Sequence, residues 1–102
     1  MKKKLKFLIA GMCFLFAQNI LAQEQLVTGT VTDAESGMPL PGVTIVEKGT
    51  DNGTITDFDG NYSIEVPSSA VLVFSMVGYA SEDHPVGADT TLDVVLSVNI
   101  EA

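Results

Sequence analysis

From Leu26 onward, apolar and polar residues alternate at every second position, and Gly, Pro, Asn and Asp interrupt the alternation about every eight to twelve residues. A period of two puts successive side chains on opposite faces of an extended strand, so each such segment has one face to bury. Val27, Gly29 and Val31 alternate with Thr28, Thr30 and Thr32. Tyr62, Ile64 and Val66 alternate with Ser63 and Glu65 until Pro67, which has no N–H to give a ladder. Leu92, Val94, Leu96 and Val98 alternate with Asp93, Val95 and Ser97. Val43–Val46 and Thr54–Thr56 are shorter strands, the second at a sheet edge, and Asn52-Gly53 between them is a strong hairpin signal. Pro39-Leu40-Pro41-Gly42 suits a turn with proline first and glycine at the positive-φ position. Six or seven short strands without helical periodicity predict an all-β fold, a β-sandwich.

One strand breaks the alternation. Ala70 to Val77 is apolar on both faces, with Val71, Val73, Ser75 and Val77 on one side and Leu72, Phe74 and Met76 on the other. The larger side chains gain most from burial, so Leu72, Phe74 and Met76 are expected in the core. Val71, Val73 and Val77 are then candidate contact residues, covered by a loop such as Ser81 to Asp89 or by a partner domain.

The first residues bear on compartment. Met1-Lys2-Lys3-Lys4-Leu5-Lys6 is a basic n-region, Phe7 to Ala17 is an apolar run short for a membrane span, and Ile20-Leu21-Ala22 offers a cleavage site before Gln23. Residues 1–22 thus read as a secretory signal peptide and residues 23–102 as one domain. Four of the five lysines leave with the signal, and Lys48 remains against thirteen acidic residues with no arginine, a balance of −12. That charge disfavours nucleic acid and anionic lipid as partners. The single cysteine, Cys13, leaves with the signal, so about eighty residues must hold through one small core without a disulfide.

Candidates for chemistry are few. Asp57-Phe58-Asp59-Gly60-Asn61 has the look of a calcium loop. Setting Gly60 at position 6 puts Asp57 and Asp59 at positions 3 and 5, but Ile55 and Val66 at positions 1 and 12, where carboxylates are needed. Asp57 and Asp59 are therefore weak metal candidates, better read as a turn in which carboxylates accept nearby backbone N–H groups and Gly60 takes positive φ. The single histidine, His84, lies in the polar stretch Ser81–Pro85, which reads as a solvated loop. No serine sits in a nucleophile elbow, and one histidine without cysteine cannot make a zinc site. No enzyme and no cofactor are expected.

Gly29-Thr30-Val31, Pro39-Leu40-Pro41-Gly42-Val43, Lys48-Gly49-Thr50, Thr56-Asp57-Phe58-Asp59-Gly60-Asn61-Tyr62 and Val77-Gly78-Tyr79 together form a specific set. From about Leu26 to Leu96 the chain closely resembles the carboxypeptidase-regulatory-like domain. More narrowly, it looks like the form at the N-terminus of SusC/RagA-type TonB-dependent outer-membrane transporters of Bacteroidetes-like bacteria. The resemblance implies a transthyretin-like or Ig-like, seven-stranded Greek-key sandwich and a non-catalytic role. It implies an exported, periplasm-facing location with a transporter's plug and barrel, or its energising machinery, as partner. Transthyretin-like sandwiches include a purine-breakdown hydrolase that uses histidine and arginine, which this arginine-free chain cannot match. In such transporters a TonB-contacting segment, a plug and a barrel follow, whereas this sequence ends at Ala102. Leu92-Asp93-Val94-Val95-Leu96 looks superficially like the TonB-contacting segment but falls where the last sandwich strand belongs. Two expectations stay open: an accessory domain from a truncated or split nutrient transporter, or a free-standing secreted module that binds carbohydrate or calcium.

Overall fold

A computed structural model describes residues 24–99. The expected leader, its expected cleavage position after Ala22 and residues 100–102 lie outside the described residues. Seven strands form two sheets: β1 (Glu24–Asp33), β2 (Thr44–Glu47), β3 (Gly53–Ile55), β4 (Asn61–Pro67), β5 (Val71–Ser75), β6 (Glu82–Pro85) and β7 (Val94–Leu96). One sheet has the order β4-β1-β7 and the other β3-β2-β5-β6. The chain crosses between them after β1, β3, β4 and β6, and the result is a Greek-key sandwich of the transthyretin-like or Ig-like kind.

The core follows from the alternation. Val27 and Val31 of β1, Tyr62, Ile64 and Val66 of β4, and Val94 and Leu96 of β7 point inward from the three-stranded sheet. Ile45 of β2 meets Leu72 and Phe74 of β5 from the other side. Phe74 stands edge-on to Tyr62, ring centroids 5.5 Å apart, and so joins the two sheets. Each fully buried side chain of this size contributes about 1.5–3 kcal/mol of transfer free energy.

Four local expectations are corrected. The β2–β3 hairpin exists, but its reversal is not at Asn52-Gly53. Gly49 takes the positive φ, +83°, and Gly53 already pairs with Val46. Asn52 is withheld from the turn centre because its side-chain amide donates to the Glu65 carbonyl at 2.8 Å and to Glu47 Oε1 at 3.2 Å. Ser81–Pro85 is not a loop. Its residues Glu82–Pro85 form β6, an edge strand on β5, with Glu82 opposite Phe74 and His84 opposite Leu72. An edge strand tolerates polar residues and a terminal proline, and the ring of His84 packs on Phe74.

The doubly apolar strand ends at Ser75. Met76 to Tyr79 reverse the chain, with Gly78 at φ +89° and Tyr79 N–H bonded to the Met76 carbonyl at 3.0 Å. Val77 therefore sits at a turn tip and does not extend the row of Val71 and Val73. The last strand is also short. Asp93 interrupts it because its carboxylate, not a backbone carbonyl, accepts the Thr30 N–H at 2.9 Å. β7 runs parallel to β1, pairing Val31 with Val94 and Asp33 with Leu96.

Candidate functional site

The stretch from Thr56 to Tyr62 is built by its own polar groups. Asp57 Oδ1 accepts the N–H of Asp59 and of Asn61, each at 2.9 Å, and the Asp57 carbonyl accepts the Gly60 N–H at 3.0 Å. Asp59 contributes its N–H to this turn, and the bonds that close it come from Asp57. Gly60 is buried at φ +76°, and a Cβ there would come within 2.7 Å of the Val31 carbonyl and 2.9 Å of the Pro39 side chain. The buried Thr56 hydroxyl accepts from Val43 N–H at 2.9 Å and donates to the Leu40 carbonyl at 2.6 Å. These bonds tie the turn to the Pro39–Gly42 reversal, where Gly42 takes φ +80°.

Gly29 and Tyr62 form a second unit, paired across β1 and β4. A Cβ on Gly29 would run into the Leu92 carbonyl and the Tyr62 ring. Its absence lets the ring cross β1 and the hydroxyl donate to that carbonyl at 2.6 Å. Burial, and secondly the nearby Asp93 carboxylate, push the Tyr62 phenol up to about 12. Neither this unit nor the Thr56 clamp was visible in spacing alone. The signals that could have found them are a glycine inside a β-branched strand and a threonine before the aspartate turn.

An open concavity of about 610 Å³ lies beside these units, lined among others by Thr28, Thr30, Ile55, Asp57, Ser63 and Asp93. It offers hydroxyls and carboxylates for hydrogen bonding. His84 is remote from it, on β6 at the opposite edge of the sheet from β3, where its Nε2 lies 2.9 Å from Glu82 Oε1. Among the described residues, no three His, Cys, Asp or Glu side chains gather as a metal-binding group.

The proposed contact residues separate. Val71 and Val73 are half-buried on the outer face of β5, with Val46 and Asp83 opposite Val73. Lys48 reaches across that strand to Asp83 at 2.8 Å, a bond that raises the lysine pKa. Val77 is 99% exposed, and Phe58, at the tip of the aspartate turn, is 92% exposed. Leu92–Leu96 supplies β7, with Val94 and Leu96 buried in the sandwich.

Residues 27–102 match the CarboxypepD_reg-like domain. The chain is 49% identical over 98 residues to TonB-dependent receptor P3 of Formosa agariphila, covering 95% of this chain and 10% of that receptor. It is 39% identical over 101 residues to TonB-dependent receptor SusC of Bacteroides thetaiotaomicron, covering 99% of this chain and 10% of the receptor. The chain thus spans about a tenth of the length of the curated relatives it matches. A chain of a type II cohesin–X-dockerin complex from Acetivibrio cellulolyticus superposes with a TM-score of 0.60 at 18% identity, covering 72% of this chain and 58% of that one. At that identity the likeness concerns the fold alone. With its sandwich closed by the glycine–tyrosine pair and the aspartate turn, and with residues 27–102 matched, this chain belongs to the CarboxypepD_reg-like domains.

Proposed function

We propose that this chain is a non-catalytic accessory domain of a SusC-type TonB-dependent receptor, exported and facing the periplasm, that acts through contacts with the receptor. The observation that carries this reading is the match of nearly the whole chain to a tenth of each receptor. The polar groups support it too. Asp57, Thr56, Tyr62 and Asp93 are each engaged in holding turns and strands together, and the single histidine lies away from the concavity. Deleting from receptor P3 only the part of the matched stretch that corresponds to residues 24–99, with its own leader kept, should abolish uptake of its nutrient while the receptor still reaches the outer membrane, and grafting residues 24–99 of this chain in its place should restore uptake. Uptake that survives the deletion overturns the reading. Export is tested separately, by intact mass of the recovered protein. A chain beginning at Gln23 is expected, and retention of Met1 excludes a cleaved signal.

A second reading rests on the concavity, where Asp57 and Asp93 both present carboxylates. A free-standing module would use it for calcium or carbohydrate. A micromolar calcium site at hundredfold excess would add about 2.7 kcal/mol. Under the accessory reading, millimolar calcium leaves the melting temperature unchanged. A rise of several degrees that Asp57→Asn abolishes favours the binding module.

A further inference from the structure

The two ends of the sandwich differ in kind. At one end lie the 48–52 and 68–70 turns and the segment 86–91, which carry Lys48, Asp51, Asn52, Ser68, Ser69, Asp89 and threonines. At the other lie the 34–43, 56–60 and 76–81 connections and the chain's last described residues. Among the described residues, four of the seven exposed large apolar side chains are there: Met38 at 65%, Phe58 at 92%, Val77 at 99% and Val98 at 40% exposure. Scattered exposed apolar residues need no explanation, but four at one end of a small domain do. The turns do not ask for them. The aspartate turn needs Asp57 and Gly60, and the 76–79 turn needs Gly78, while positions 58 and 77 are free of structural demand.

We infer that this apolar end is the docking face for the receptor's own remaining polypeptide, with Phe58 and Val77 as its anchors. The inference rests on the proposed accessory role. The direction of the chain selects the occupant. β1 starts at the polar end, whereas Val98 bridges to Tyr79 and Asn99 N–H bonds the Gly78 carbonyl at 2.9 Å, so the chain leaves from beside Val77. The chain is similar to the N-terminal domain of receptors some tenfold longer, so whatever follows this domain in such a receptor emerges next to Val77 and Val98, at the end of the sandwich that also carries Phe58. Tethering at that point makes their contact effectively intramolecular. The outer face of β5 is a poorer anchor, since Val71 and Val73 are half-covered by their own sheet and by the Lys48–Asp83 bridge.

The test uses the full exported chain and detergent-solubilised receptor P3 that keeps its leader but lacks the part of its matched stretch corresponding to residues 24–99. Co-elution of the unaltered chain tests the accessory role by itself, and its absence overturns that role and the docking face with it. Given co-elution, a photo-crosslinking residue at position 58 or 77 should capture the receptor, and one at position 73 or 69 should not. The pair Phe58→Ser and Val77→Ser should weaken binding at least about tenfold with the far-ultraviolet circular dichroism unchanged. Capture from position 73 alone, or unchanged affinity in the pair, leaves the accessory role standing and overturns the docking face. Products of twice the chain's mass from positions 58 and 77, without receptor capture, overturn it in favour of a second copy as occupant.

Discussion

Gly60 and Gly42 share a backbone conformation but not a neighbourhood. Both take positive φ, +76° and +80°, yet nothing lies within 4 Å of a Cβ built on Gly42. Gly42→Ala should therefore cost only the left-handed penalty, about 1–2 kcal/mol. Gly60→Ala adds a clash with the Val31 backbone and Pro39, and should cost about 2–5 kcal/mol in all. Urea denaturation of the two variants decides this, and equal losses would show that the close approach at Gly60 carries nothing. Tyr62 gives a pH signature. Its folded-state pKa is raised to about 12 against about 10 unfolded, so the native state holds the proton longer. That contribution is complete below about pH 10 and is lost as pH rises toward about 12. Stability measured across this interval should fall, and Tyr62→Phe should remove that part of the fall. The variant should also lose about 0.5–1.5 kcal/mol at neutral pH through its hydrogen bond to Leu92. An identical pH slope in wild type and variant would exclude Tyr62 as the source.

At the scale of elements, β5 offers the sharpest contrast because its two faces have different fates. Phe74 is fully buried between Tyr62, Ile45 and His84, and Phe74→Ala should cost about 3–5 kcal/mol, enough to unfold most of so small a domain. Val73 faces outward opposite Asp83, and Val73→Asp should leave a folded domain, destabilised by the neighbouring like charge. Amide dispersion in the NMR spectra of the two variants separates them; a folded Phe74→Ala beside an unfolded Val73→Asp would mean the faces are reversed. The assignment of Leu72 and Phe74 to the core was legible because size and alternation both reported it. Where β5 ends was not, since an apolar run is silent about the C-terminal segment that pairs Tyr79 with Val98 and closes the turn at Gly78. β6 was hidden for a related reason. Its residues are polar because it is an edge, and only its partner β5 makes Glu82–Pro85 a strand. The same holds for Asn52, whose bond to Glu65 on the other sheet outweighs its local turn preference. The Asp57–Gly60 turn needed no such partner, as its bonds span at most four residues.

Across the whole molecule, charge is the dominant long-range force. Residues 23–102 carry thirteen carboxylates against Lys48, and their repulsion is felt over the Debye length, about 10 Å at 0.1 M salt. Self-repulsion then opposes the compact state. The opposing effect is local. The Lys48–Asp83 bridge is also weakened by salt, but its side chains are 62% and 47% exposed, and solvent screens so exposed a pair strongly. One exposed bridge cannot balance the repulsion of so many like charges. The melting temperature of residues 23–102 should therefore rise when sodium chloride is raised from about 10 mM to about 0.5 M, where the Debye length shrinks to a few ångströms. Lys48→Gln should melt at a lower temperature than wild type in low salt, and the gap should narrow as salt is added. A melting temperature that stays flat or falls with salt would mean that the carboxylates are too dispersed to repel and that the Lys48–Asp83 bridge outweighs them.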